Sequence, residues 1–495
     1  MSAIRIDEGG EAARPPAPSP RQGRFPLWVT ILACSLPMFM VALDNLVVST
    51  ALRSLAADLQ ATTTDLQWFV NAYVLSFACL LLTGAAMGDR FGRRRVFVLG
   101  IGLFTLASVG CGLADTSDQL IVMRAIQGLG AAAVMPLSLT LLAEEVPDRK
   151  RNLALGLWSA VSGMAVALGP VVGGAVVDGL DWQWIFWINI PVCVVAIPLI
   201  FVVLGESSVP GSRLDLPGMA LVTAGLVSVV WAIVNGESEG WSSGVIVAAF
   251  AAGAVLLVLF VLWERRARQP LLPLSFYRKR AFVFSNLVSA SMYFGVFGSI
   301  FLLAQFFQLA PVRTPLEAGV LTLGWTLMPM FVAPVAGALT DRLGGGRLMA
   351  AGLFLQAVGL AWIDLVATSD TPYSRMVGAM IVAGIGMGLV FAPTAAVVLA
   401  SVGPQNRGKA SGANNTVREI GGALGTAILS SVFVHYGSDR SAQDFVDGMR
   451  PAIWIGVGVV LLGALCALAI PRHVETPSAE TGEPLPEPGR ATVKR

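Results

Sequence analysis

Residues 88–95 read GDRFGRRR, which places Asp89 and the arginines 90, 93, 94 and 95 in one short turn. Apolar runs press on both sides, LLLTGAAM before it (80–87) and VFVLGIGLF after it (96–104). Such a cluster suits either of two tasks: holding a phosphate in a soluble enzyme, or holding a loop at a membrane surface. The phosphate reading fails, because there is no GxxxxGK[ST] loop and no soluble domain follows. The charges therefore belong to a loop between two membrane spans.

The composition agrees. Of the 495 residues 55% are hydrophobic and 13% charged, against about 25% charged in an ordinary soluble domain, and the mean hydropathy is +0.73. A net charge of +2 gives no electrostatic footprint for a nucleic-acid partner. Cys34, Cys79, Cys111, Cys193 and Cys466 all sit in apolar runs without paired ligand spacing. They read as packing residues, and no metal site or other cofactor is expected. Residues 1–24 are polar and proline-rich, with acidic residues before the first apolar stretch, unlike a cleaved signal peptide. They and residues 471–495 are expected to be disordered cytoplasmic tails.

A membrane helix needs about 20 mostly apolar residues. The chain offers fourteen: 27–47, 66–87, 96–114, 119–142, 153–176, 185–204, 215–234, 244–263, 281–306, 316–339, 347–366, 374–398, 410–433 and 452–470. With the amino end inside, inner segments hold 26 of the 33 Lys and Arg and outer segments 5, while Arg124 and Arg418 fall within spans. That bias is the positive-inside rule, and a count wrong by one would scramble it. The turn at 88–95 thus faces the cytoplasm, as do both termini. GDRFG (88–92) recurs as TDRLG (340–344) after the second span of a later group. Internal repeats of this kind build alternating-access carriers. The expected division is a six-helix lobe over 25–204, two additional helices over 205–270 and a second six-helix lobe over 271–470.

At this point the sequence resembles the major facilitator superfamily, and within it the fourteen-span drug:proton antiporter branch (QacA/EmrB-like). The superfamily's loop signature G-x-L-x-D-R-x-G-R-R is matched at Asp89, Arg90, Gly92, Arg93 and Arg94, with Ala85 and Met87 replacing its Gly and Leu. The second copy, GALTDRLG, matches at Gly337, Leu339, Asp341, Arg342 and Gly344 but lacks the trailing arginines. RAIQGLGAA (Arg124, Gln127, Gly128, Gly130) resembles the fourth-span motif. GMAVALGPVVGG (Gly163, Gly169, Pro170, Gly173, Gly174) resembles the fifth-span motif of exporters. VALDNLVVSTAL (Asp44, Asn45) resembles the branch's first-span motif, and DWQWIFWINIPV (181–192) is also typical. The resemblance spans roughly residues 27–470. It implies a wholly α-helical carrier in the bacterial cell membrane, working as a monomer.

The resemblance implies that the 88–95 turn, with Asp341 and Arg342, latches the cytoplasmic side. Asp89 is suited to accept hydrogen bonds from a neighbouring helix start. Asp44 lies within a span, where a carboxylate costs about 2.5–3.5 kcal/mol, so it must face protein or water. Desolvation favours its protonated form and a nearby cation its charged form, so it is read as binding a proton or a cationic substrate, not both. Arg124 is placed by the resemblance at the cavity, with Gln127 on the same helical face. The glycines of the exporter motif allow close helix approach, and Pro170 permits a bend. Arg418–Glu419 departs from the branch, which implies an uncharged polar residue at 419, so Glu419 is either a second proton site or an interfacial charge. Asn45, Trp68, Tyr73, Gln127, Tyr293, Gln305 and Trp325 are candidate cavity residues. Asp364, Glu144 and Glu145 read as wet, and Trp182, Trp184, Trp187 and Trp241 as interface anchors.

With no nucleotide-binding loop, neither direct ATP drive nor an ATPase subunit is implied. No convergent nucleophile, base or metal set suggests an enzyme. The expected activity is export of lipophilic, often cationic compounds in exchange for protons. The rivals are a dedicated exporter of one natural product on the same fold, and a non-transporting membrane sensor or scaffold.

Overall fold

The computed structural model describes the backbone of residues 24–209, 211–309, 315–369, 371–438 and 441–472. Both tails, beyond Arg24 and Arg472, lie outside these. The described chain is a bundle of helices: α1 (Leu27–Asp58), α2 (Thr63–Phe91), α3 (Arg93–Gly112), α4 (Ser117–Glu145), α5 (Asp148–Gly179), α6 (Trp184–Trp187), α7 (Asn189–Val203), α8 (Leu216–Glu239), α9 (Gly244–Glu264), α10 (Arg280–Leu309), α11 (Pro315–Thr326), α12 (Met328–Leu343), α13 (Gly345–Val366), α14 (Tyr373–Ala400), α15 (Arg407–Tyr436) and α16 (Ala442–Leu468). Among the described residues, fourteen stretches are long and apolar enough to cross a membrane, the number expected. α6 with α7 makes one of them, and α11 with α12 another.

Local chemistry sets the ends. Thr62 and Asp65 form a reciprocal capping box at α2, with the Thr62 N–H donating to Asp65 Oδ2 at 2.8 Å and the Asp65 N–H to Thr62 Oγ1 at 3.3 Å. Thr116 caps α4 through the Gln119 N–H. The two DRxG copies make the same turn: Gly92 (φ 107°, ψ 124°) links α2 to α3, and Gly344 (φ 85°, ψ 132°) links α12 to α13. Both lie in the left-handed region, where glycine is the natural residue. α1 runs on to Asp58, well beyond the span end expected at 47, because nothing between Asn45 and Asp58 breaks a helix.

Two apolar cores lie side by side. One gathers Phe97, Phe104, Leu137 and Trp158 from the first helices; the other gathers Trp325, Met349, Met380 and Ile453 from the last. A third cluster joins α8 to α2, α14 and α15 through Cys79, Leu82, Val222, Leu226, Val398 and Ala410. The outer surface is also apolar: Leu99, Leu106, Val194, Leu365 and Leu465 are exposed, as a lipid-facing surface requires. The cysteines are free, all buried except the half-buried Cys466, consistent with packing roles.

Glycines hold the helices close. A Cβ at Gly130 (α4) would stand 2.6 Å from the Phe104 nitrogen and 2.7 Å from the Gly100 carbonyl oxygen of α3, whereas one at Gly102 meets nothing within 4 Å. Gly130→Val should therefore force α3 and α4 apart at a cost of about 1–3 kcal/mol and lower the melting temperature of the purified protein. Gly102→Val should leave it unchanged in the same thermal-shift assay.

Candidate proton and substrate site

The sequence-selected residues fall into three places. The first is a sealed polar knot within the first half. Asp44 of α1 is 2% exposed and Arg124 of α4 0%. Arg124 Nη1 donates to Asp44 Oδ2 at 2.5 Å and to Gln127 Oε1 at 2.7 Å, and its Nε donates to the Phe69 carbonyl at 2.9 Å. The other carboxylate oxygen, Oδ1, accepts Gln127 Nε2 at 2.9 Å and Asn189 Nδ2 at 3.0 Å. Both amides also reach Ser108 Oγ, at 2.8 and 3.1 Å. The Arg124 guanidinium lies 4.3 Å from the Tyr73 ring centre, and Tyr73 is pinned in turn by donating its hydroxyl to the Val41 carbonyl at 3.1 Å. Two helices, α4 and α7, thus send donors to the α1 carboxylate, and α2 and α3 hold those donors in place through the Phe69 carbonyl and Ser108.

The second place is a cavity between the halves, about 40 Å³, with Asn45 of α1, Tyr73 and Phe77 of α2, Tyr293 and Phe297 of α10, and Arg418 and Glu419 of α15 on its wall. Tyr293 stacks on Phe297 with ring centres 5.3 Å apart. The Arg418 guanidinium sits 4.4 Å from the Tyr293 ring centre and 5.4 Å from that of Phe391, and its Nη1 donates to Asn415 Oδ1 at 3.2 Å. Glu419 is half-buried on the same wall, near the middle of the apolar stretch Pro404–Tyr436. Tyr73 is the partition, with Arg124 against its ring and the cavity on its margin.

Other expected cavity residues lie elsewhere. Gln127 belongs to the sealed knot. Trp68 borders a separate apolar hollow of about 350 Å³ between α2, α4 and α8, because α2 turns residues 68 and 73 to different neighbours. Trp325 is wholly buried in the second core, and Gln305 is half-buried, its Nε2 directed back to the Phe301 carbonyl of its own helix. Asp364 is not wet but 5% exposed, accepting Trp454 Nε1 at 2.9 Å. Trp182 is likewise buried rather than interfacial, donating to Asp58 Oδ2 at 2.8 Å.

The third place is the charged turn. Asp89 is 1% exposed, and Arg93 binds it through Nε at 2.9 Å and Nη2 at 2.7 Å while also pairing with Glu144. Glu144 also accepts Ser207 Oγ at 2.6 Å, and Glu145 accepts the Gly205 N–H, so neither is simply solvated. The start of α15 abuts Asp89: a Cβ on Gly408 would stand 2.7 Å from Asp89 Oδ1, and a helix start favours a carboxylate there. Arg94 donates to the Leu204 carbonyl at 3.0 Å, whereas Arg90 is exposed. In the second copy Asp341 accepts Asn152 Nδ2 of α5 at 2.5 Å, and Arg342 is exposed. The second copy is therefore hydrogen-bonded across the halves, and the first lies against the second half at Gly408.

Two of the exporter glycines, Gly163 and Gly174, line a seam between the halves, and Gly169 lies against α1 of its own half. A Cβ at Gly163 would stand 2.7 Å from Pro329 of α12, one at Gly169 2.6 Å from Leu46 of α1, and one at Gly174 2.9 Å from Leu316 of α11. Gly173 is buried, and Pro170 lies in α5 with its side chain outside the described set. Asn189 and Ser108 escaped the sequence reading. The only local signal was an amide inside the apolar string WINIPV, and nothing local pairs it with Asp44.

A family model described as Major Facilitator Superfamily matches residues 34–313 and 287–494. The chain is 34% identical over 484 residues to the methylenomycin A resistance protein of Streptomyces coelicolor, covering 97% of this chain and 99% of that one. It is 31% identical over 449 residues to the multidrug efflux pump LfrA of Mycolicibacterium smegmatis, covering 89% and 87%. Its fold is similar to that of the proton:xylose symporter XylE, with TM-score 0.65 and 16% identity over 91% of this chain and 97% of that one. The chain belongs to the Major Facilitator Superfamily, as a fourteen-span membrane transporter related to the bacterial multidrug and antibiotic-resistance efflux proteins.

Proposed function

We propose that the protein exports lipophilic, often cationic compounds in exchange for protons, with Glu419 as the group that meets the cargo and the Asp44–Arg124 knot as a coupled relay behind Tyr73. The observation that carries this is the cavity wall, where Glu419, with Arg418 next to it, shares the lining with aromatic rings at the junction of the two halves. Aromatic faces and a carboxylate are the chemistry that a lipophilic cation requires. The cavity, about 40 Å³, is far below the ~300–1,000 Å³ of a drug-sized site, so the halves must part to load it. Positive charge gathered at the Asp89 end supports a cytoplasmic orientation for that end and for both termini. Residues 25–204 and 271–470 form the two rocking lobes in this reading, 205–270 the additional pair of helices, and the unit is a monomer.

The energetics give the second carboxylate its interest. Exchanging one proton for one monovalent cation moves no net charge, so it uses only the pH term, about 1.4 kcal/mol or tenfold per pH unit. A second proton adds the voltage, about 2.3 kcal/mol per 100 mV. Protonating Asp44 frees Arg124 from its partner beside Tyr73, which links the sealed knot to the cavity. The narrower reading, one antibiotic as cargo, is favoured by the relative named for methylenomycin A resistance.

Binding of tetraphenylphosphonium to the detergent-solubilised protein separates the two acids. Glu419→Gln should weaken it tenfold or more, about 1.4 kcal/mol. Asp44→Asn should change it less than twofold, while abolishing pH-gradient-driven transport in proteoliposomes. Equal binding loss in both variants would overturn the division of labour. A panel of unrelated dyes and antibiotics on the wild type decides breadth, since competition by only one compound would leave the dedicated exporter standing.

For the latch, Gly408→Leu should drive α15 off Asp89 and increase labelling of a cysteine placed at Ala85, facing Gly412 across the seam. Unchanged labelling would remove the latch role.

A further inference from the structure

The chain between the inserted helices and the second half is fastened across the seam. α9 ends at Glu264, 4% exposed, whose carboxylate accepts the N–H groups of Leu271 at 3.1 Å and Leu272 at 3.0 Å. This folds the following residues back under the helix end. Leu271, Leu272 and Phe276 then pack into the cluster that holds Leu82 and Ala86 of α2 and Ala410 and Ala413 of α15. Lys409, next to the Gly408 that abuts Asp89, donates from Nζ to the Pro270 carbonyl at 2.6 Å. Lys279 does the same to the Ser401 carbonyl, just beyond α14, at 2.9 Å. Residues 265–279 are thus a strap over the point where α2 meets α15.

The other side of that strap is strongly basic. Arg265, Arg266, Arg268, Arg278 and Arg280 are all exposed, with Trp263 and Tyr277 exposed beside them. No acidic residue occurs between 265 and 280. Of the acids beside this stretch, Glu264 is held by the two backbone groups, and Asp215 accepts the Gly218 N–H at 3.0 Å and Trp263 Nε1 at 2.8 Å on one oxygen, its other oxygen being buried. Orienting a membrane protein needs positive charge on one side, but it does not need that charge fixed to a moving seam.

We propose that the exposed face of residues 265–280 binds the anionic headgroups of phospholipids in the adjoining leaflet, and that the strap passes this occupancy to the α2–α15 seam, holding it closed. Guanidinium groups pair with phosphate in a bidentate fork, and Trp and Tyr settle at headgroup depth. An arginine near an anionic surface contributes about fivefold in affinity. The binding holds whichever leaflet this is; only calling it cytoplasmic rests on the orientation proposed above.

The test uses the full chain in phosphatidylcholine vesicles with and without phosphatidylglycerol, and needs no cargo or proton gradient. One readout is the phosphatidylglycerol retained per protein on transfer to detergent. The other is the spin-label distance between cysteines at the exposed positions Phe91 and Gln405, across the seam. The wild type should retain phosphatidylglycerol at least tenfold over phosphatidylcholine, with a shorter, narrower 91–405 distance when it is present. With the five arginines changed to Gln, both effects should vanish. Leu271→Ala, which keeps every arginine, should retain the lipid but lose the distance response. Retention by the Gln variant equal to wild type, or a wild-type distance indifferent to phosphatidylglycerol, would sink the proposal. So would displacement of the lipid by millimolar inorganic phosphate, which would make the site a general phosphate sink.

Discussion

Inside the first half, Asp44 and Arg124 lie 2.5 Å apart with almost no surface left to water. Moving either charge alone into such a place costs several kcal/mol, and removing one partner of a buried pair strands the other at about 3–5 kcal/mol. The pair is tolerated because its remaining capacity is largely used by Gln127, Asn189 and the Phe69 carbonyl. Those partners come from α4, α7 and α2, so the electrostatic requirement fixes how the helices of this half stand around α1.

The second half meets the first along seams chosen for closeness. α5 lies against α11 and α12 through glycines, and α15 lies against α2 where Gly408 and Gly412 leave room for Asp89 and Ala85. Contacts between small residues are shallow, and a rocking motion can break and remake them without unthreading interlocked side chains. Charge adds to shape at two ends of those seams, where Asp341 accepts Asn152 Nδ2 of α5 and the Arg93-bound Asp89 lies against Gly408 of α15. The inserted helices then add a second fastening through Leu271, Leu272 and Lys409. The extra pair of spans is therefore tied to the α2–α15 seam rather than to the cavity beside Glu419.

Much of this was legible in the chain alone. Fourteen apolar runs, the charge bias between loops and the repeated DRxG determined the span count and the family, because each is a local property of twenty or so residues meeting lipid. Asp44, Arg124 and Glu419 stood out for a related reason: charge within an apolar run is expensive wherever the run ends up. Only the tertiary structure decided what each one faces. Asp44 and Glu419 look alike in sequence, yet one is sealed by Arg124 and Asn189 while the other borders the cavity between the halves. Trp68, Gln127, Gln305 and Trp325, expected at that cavity, lie elsewhere. Periodicity fixes which residues share a helix face; which neighbour that face meets depends on packing between helices a hundred or more residues apart, and no local rule encodes it.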